Sequence, residues 1–314
     1  MRTVAVKPRL GFLGAGWIGR HRLDAVAASG AAEVAAVADP ALPDALDSLD
    51  ELIERELDGV VIATPSGLHA EQAIAALEAG LAVFCQKPLG RSAAEAETVV
   101  DTARAADRLL AVDLCYRFTS AAEALRVAVD EIGEVDAAEL VFHNAYGPDR
   151  AWFYNPELAG GGCLIDLGTH LVDLALWILG WPGVERIESR ILGRGSHAVE
   201  DYAVARLDLD TGAAVSLCCS WNLPAGKECE ISTAFYGRHG GAALRNVHGS
   251  FYDLRAERYR GTQTETLAEP PDDWGGRAIC AWARRLAAGE RYDPEIERTI
   301  EVADILDRIY GSAA

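Results

Sequence analysis

The 314 residues hold no apolar run approaching a membrane span, no Cys-x-x-Cys spacing, no internal repeat and no excess of basic charge. Each absence excludes something. A spanning helix needs about 20 consecutive apolar residues, and the N-terminus lacks a signal-peptide pattern, so no membrane association is expected. The net charge of −19 repels phosphate backbones and anionic lipid, which argues against nucleic acid as a partner. The seven cysteines (Cys85, Cys115, Cys163, Cys218, Cys219, Cys229, Cys280) are odd in number. They read as reduced, buried thiols, with no disulfide framework and no metal site. The expectation is a soluble, cytoplasmic protein that binds a small molecule.

What is present begins with half the residues being apolar and a length that suggests two domains. Residues 1–8 read as a lead-in. An apolar run, Leu10 to Leu13, then enters Gly14-Ala15-Gly16-Trp17-Ile18-Gly19. Gly14 permits the tight turn, Gly16 lets the backbone approach a pyrophosphate, and Gly19 lets the following helix pack on the sheet; the helix N-terminus offers N–H groups to the anion. A second apolar run ends at Asp39, where an acid can accept hydrogen bonds from the adenosine ribose. Strand-like runs at 33–38, 59–63, 81–85 and 109–114 alternate with helical patterns at 17–29, 47–57, 68–79 and 92–106. That alternation predicts right-handed βαβ units and a doubly wound parallel sheet, the Rossmann form of an α/β fold. Few residues separate Asp39 from the next helix, and they include Pro40 and Pro43. The nucleotide domain should therefore be trimmed there, leaving the adenine side more open.

After Phe118 the texture changes. A helix over 121–130 leads to a strand near 135–143 and an aromatic loop through Trp152, Phe153 and Tyr154. Gly160-Gly161-Gly162 opens a long apolar helix ending near Gly180, and strand-like runs follow at 184–191, 202–209, 213–220, 230–235 and from Ala242. Asp210-Thr211-Gly212 marks a hairpin turn, and helices return over 276–288 and 294–310. The division expected is 1–118 and 119–314, the latter an α+β domain on a mostly antiparallel sheet.

Three stretches carry candidate chemistry. Lys87, after Gln86, sits where a parallel strand delivers its C-terminal end, the usual ligand edge of an open α/β sheet. Asp166 and His170 are i and i+4 on a helix, so they should share a face, the carboxylate orienting the imidazole as a general base. Asp173 could join them around a metal, but no fourth ligand is evident. Thr64, Pro65 and His69 lie after another strand and either line the cofactor pocket or, through Thr64 or Ser66, cap the next helix.

Taken together, Gly14-Ala-Gly16-Trp-Ile-Gly19, Ala63-Thr64-Pro65 with His69, Gln86-Lys87-Pro88, Tyr116-Arg117-Phe118 and Gly160-Gly-Gly-Cys-Leu-Ile-Asp166-Leu-Gly-Thr-His170-Leu-Val-Asp173 resemble the family of glucose–fructose oxidoreductase, inositol 2-dehydrogenase and MocA. The resemblance covers nearly the whole chain. It implies a Rossmann domain followed by a domain with a large open sheet that supplies a homodimer or homotetramer contact. It also implies NAD(P)-dependent oxidation of a sugar or cyclitol hydroxyl, or the reverse reduction. By the same resemblance Lys87 contacts the reacting oxygen and Asp166 with His170 forms the acid–base pair. Gly14 to Gly19, Asp39, Thr64, Pro65, His69, Gln86 and Lys87 surround the cofactor; Lys87, Arg117, Trp152, Tyr154, Asp166 and His170 face the substrate. Arg117 is open to a structural role, and the aromatics to simple packing. Asp39, with no basic residue over 40–46, favours NAD over NADP. One departure is Gln86, where the family usually has Glu before Lys-Pro. Two alternatives stay open: redox-assisted glycoside cleavage, and a non-enzymatic dinucleotide sensor.

Overall fold

The computed structural model describes residues 7–193, 197–272 and 274–313, so the first six residues of the expected lead-in lie outside the described residues. The chain forms two compact units. The first comprises Met1–Cys115 and Gly275–Glu301, the second Tyr116–Trp274 and Val302–Ala314. This differs from a simple division after residue 118. The helix Gly276–Ala287 returns to the first unit, where it buries Ile279 and Trp282. The Trp282 ring lies 5.6 Å from that of Phe84. Sequence order could not show this, because an amphipathic helix does not announce which core it covers.

In the first unit β1 (Arg9–Leu13), α1 (Trp17–Ser29), β2 (Glu33–Ala38), α2 (Leu49–Ile53), β3 (Gly59–Ile62), α3 (His69–Glu78), β4 (Ala82–Gln86), α4 (Ala93–Ala106) and β5 (Leu110–Asp113) alternate as expected. The strands make one parallel sheet in the order β2-β1-β3-β4-β5. β3 and β4 are buried at every position, as a sheet covered on both faces requires. Among the described residues no strand lies beyond β2. After Asp39 the chain folds back instead, with Leu46 bridging Ala38, so this half of the domain is trimmed as expected. α2 is shorter than the helix expected over 47–57. Ser48 caps it by accepting from Glu51 N, but the chain must turn at once so that Asp58 N can reach Arg9 O.

The second unit holds α5 (Ser120–Glu131), β6 (Val135–Asn144), α6 (Pro156–Ala159), α7 (Thr169–Ile178), β7 (Val184–Leu192), β8 (Tyr202–Leu209), β9 (Ala214–Ser220), β10 (Cys229–Gly237), β11 (Gly240–Asn246), β12 (Leu254–Arg260) and β13 (Gln263–Ala268). They form an eight-stranded sheet, β13-β12-β11-β10-β6-β9-β8-β7. All its pairs are antiparallel except β6 with β9. α5 covers β11 and β12, and α7 covers β6 and β9. Burial alternates along β6, β8 and β9, the mark of a sheet packed on one face.

One expectation about apolar runs needs correcting. The helical stretch Pro156–Ile178 is long and apolar enough to cross a membrane, yet 89% of its apolar window is buried inside the protein. It is a core helix of this unit.

Candidate functional site

The first unit's strand order reverses between β1 and β3, the point at which open α/β sheets bind ligands. Gly14 follows β1 at φ +89°, where an added Cβ would lie 2.6 Å from Ala63 O. A Cβ on Gly19 would lie 2.1 Å from Gly14 O. Those two glycines are required by the protein's own packing. Gly16 is exposed, and a Cβ there would meet nothing within 4 Å, so its close approach is kept for something outside the chain. α1 starts at Gly16 with no side-chain cap, whereas α2 and α4 are capped by Ser48 and Ser92. Its first N–H groups are left to an anion. Asp39 Oδ2 accepts from Ala15 N at 2.7 Å and Oδ1 from Ala41 N at 2.9 Å. This fixes the carboxylate beside the loop with acceptor capacity to spare for ribose hydroxyls. These features fit a dinucleotide.

The loops after β3 and β4 are braced by His69. Only 1% exposed, its Nδ1 meets Pro88 O at 2.7 Å and its Nε2 meets Thr64 O at 2.8 Å. Burial lowers its pKa, the Lys87 charge adds to that, and the two carbonyls oppose it. His69 thus braces the two loops, with both ring nitrogens taken by backbone carbonyls. Neither Thr64 nor Ser66 caps α3; the Thr64 hydroxyl donates to Gln72 Oε1 at 2.6 Å. Gln86 is likewise buried, with its amide donating to Asp113 Oδ2 at 2.5 Å. Lys87 follows at the ligand edge of the sheet.

In the second unit Asp166 and His170 straddle a change of helix type. Leu164–Gly168 is a π turn and α7 begins at Thr169. In a π turn the hydrogen bonds run i to i+5, so four-residue spacing does not by itself stack the pair. Asp166 Oδ2 accepts from Trp221 Nε1 at 3.1 Å. The His170 ring is edge-on to Tyr116 at 4.9 Å. Trp221 escaped the sequence reading, since its place after β9 carries no motif.

Glu200 also escaped it. Its two carboxylate oxygens accept from Gly162 N, Leu164 N and the Tyr310 hydroxyl at 2.8–2.9 Å. It thereby caps the turn that carries Asp166. The glycine triplet now has a cause. A Cβ on Gly162 would lie 1.9 Å from Glu200 O, and one on Gly161 2.2 Å from the Tyr310 hydroxyl.

Arg117 takes the structural role. It grips the buried Asp173 through two nitrogens, Nε to Oδ2 at 2.8 Å and Nη2 to Oδ1, and lies 5.1 Å from the Trp181 ring centroid. Trp152 stacks on Phe153 at 3.8 Å. Tyr154 stacks on His197 at 4.0 Å, with its hydroxyl donating to Pro148 O. Each ring therefore has one face occupied by packing. Among the described residues no group of three or more His, Cys, Asp or Glu side chains is placed to hold a metal ion.

Comparison with known proteins agrees with this architecture. Residues 8–114 match a family described as "Oxidoreductase family, NAD-binding Rossmann fold", and residues 123–243 match the "GFO/IDH/MocA C-terminal domain". D-xylose 1-dehydrogenase (NADP(+)) 2 of Haloferax volcanii is 30% identical over 93% of this chain and 90% of its own. D-glucoside 3-dehydrogenase of Escherichia coli is 30% identical over 61% of this chain, and the match spans 60% of that relative's length. In fold, the chain is similar to KijD10, a 3-ketoreductase from Actinomadura kijaniata solved with NADP and TDP-benzene. The TM-score is 0.87 at 23% identity, over 98% of each chain.

Proposed function

The chain belongs to the GFO/IDH/MocA oxidoreductase family, and from that membership we propose that it is a dehydrogenase or reductase that moves a hydride between NAD and a hydroxyl-bearing carbon of a sugar, cyclitol or related polyol. The observation that carries the reading is the exposed Gly16 at the uncapped start of α1, flanked by two glycines the packing demands. Asp39, held on the loop by Ala15 N, favours NAD, because a 2′-phosphate would meet a carboxylate. When bound, the cofactor supplies the hydride acceptor or donor.

The chain's own groups do the rest. His170 takes the hydroxyl proton as general base, and Asp166, itself steadied by Trp221, favours the charged ring that results. Lys87 donates to the same oxygen and stabilises negative charge developing on it. Trp152 and Tyr154 offer their remaining ring faces to the sugar. The half-buried outer face of the large sheet, with Ala137, Val141, Val204 and Cys218, supports a homodimer or homotetramer. Seven free thiols support a reducing, cytoplasmic setting.

Calorimetric titration with NAD⁺ and NADP⁺, followed by NADH formation against a panel of sugars and inositols, tests the reading. Tighter NAD⁺ binding and turnover of one polyol are expected. Absence of binding by either dinucleotide refutes it, and binding without turnover on any polyol refutes the dehydrogenase assignment.

A further inference from the structure

A buried ionic cluster beside Lys87 is used by none of the chemistry above. Asp113 ends β5 and pairs in register with Gln86 at the end of β4. It is 1% exposed, as is Arg22 of α1. One oxygen, Oδ2, accepts from Gln86 Nε2 and from Arg22 Nε, both at 2.5 Å. The other, Oδ1, is buried without a hydrogen-bond partner among the described residues. Such an arrangement is a poor way to stabilise a fold. A buried ion pair is often matched by apolar side chains of similar volume, and an unsatisfied oxygen adds a desolvation cost. What the cluster does is join two neighbouring strand ends: Arg22 holds Asp113, and Asp113 holds the amide of Gln86, the residue before Lys87.

We propose that Asp113 is the positioning residue for Lys87: it clamps Gln86, from which Lys87 departs, and so fixes the strand end that aims the lysine. The inference rests on Lys87 being the oxygen-contacting lysine of the proposed dehydrogenase. It also explains a carboxamide at position 86. A Glu there would place a second carboxylate about 2.5 Å from the first, which like-charge repulsion opposes.

In Asp113→Asn, studied as the full-length protein, the carboxylate that fixes Gln86 is lost, and kcat is expected to fall about tenfold with little change in KM. The double variant Gln86→Glu/Asp113→Asn puts the carboxylate on β4 and the amide on β5, restores a hydrogen bond between the two strand ends, and should recover most of kcat. Should Asp113→Asn fail to fold because Arg22 is left unpaired, Gln86→Met cuts the clamp but keeps the ion pair. It should lower kcat about tenfold with little change in KM and an unaltered unfolding midpoint. An unchanged kcat in folded Asp113→Asn, or in Gln86→Met, overturns the proposal. Lys87→Ala separates the two levels of argument. If it retains full turnover, the catalytic assignment of Lys87 fails. If it is inactive while Gln86→Met keeps full kcat, only the present inference fails.

Discussion

Removing the Arg117 side chain as Arg117→Met should unfold the second unit more easily and leave substrate affinity alone. The Arg117 side chain is 14% exposed and that of Asp173 2%, so the pair is desolvated. Burial raises the Asp173 carboxyl pKa, and only Arg117 pulls it back. Breaking such a pair from one side costs about 3–5 kcal/mol, because the partner's charge stays buried. Loss of the contact with Trp181 adds about 0.5–2 kcal/mol. For a unit of this size each kcal/mol lowers Tm by roughly 2–4 °C, so 3–5 kcal/mol corresponds to a fall of roughly 6–20 °C. Urea unfolding followed by circular dichroism measures it, with an unchanged slope showing that only stability moved. The double variant Arg117→Met/Asp173→Leu removes both charges and should recover to within about 1 kcal/mol of the wild type. Wild-type unfolding of Arg117→Met together with a tenfold rise in KM would refute the argument and return Arg117 to the substrate.

Gly16→Ala should fold normally and weaken NAD⁺ binding at least tenfold by calorimetry, since its methyl enters open space at the phosphate-binding loop. Gly19→Ala, whose methyl would collide with Gly14 O, should instead lower thermal stability; equal effects of the two variants would contradict the reading of the loop. For His69 the folded pKa lies below the ordinary 6.5, so the unfolded chain binds the proton first as pH falls. Stability is full above that value and declines below it by up to about 1.4 kcal/mol per pH unit; urea midpoints at pH 7.5 and 5.5 should show the decline, and His69→Gln should reduce it. Glu200→Ala strips acceptors from three donors and should cost about 2–3 kcal/mol, against about 1 kcal/mol for Tyr310→Phe, both read by denaturant titration.

Local pattern carried much of this protein. Glycine spacing, the acid at Asp39 and the alternation of strands and helices lie within short windows, because turn geometry and backbone periodicity are local properties. α1 and β2 consequently occur where the sequence places them. Assignments that depend on a distant partner were not legible. The partner of Arg117, Asp173, lies 56 positions away and has no mark in the sequence beside it. Gln86 looked like a bare loss of charge until β5 brought Asp113 alongside it. Arg22 lies 91 positions from that same carboxylate. The glycine triplet announced a helix start, but only the fold revealed Glu200 and Tyr310 pressed against it. The chain's composition and motifs determined that there would be a dinucleotide loop and a lysine at a strand end. Tertiary structure decided which charges accompany them, because a buried charge takes its meaning from whatever distant residue the fold sets beside it.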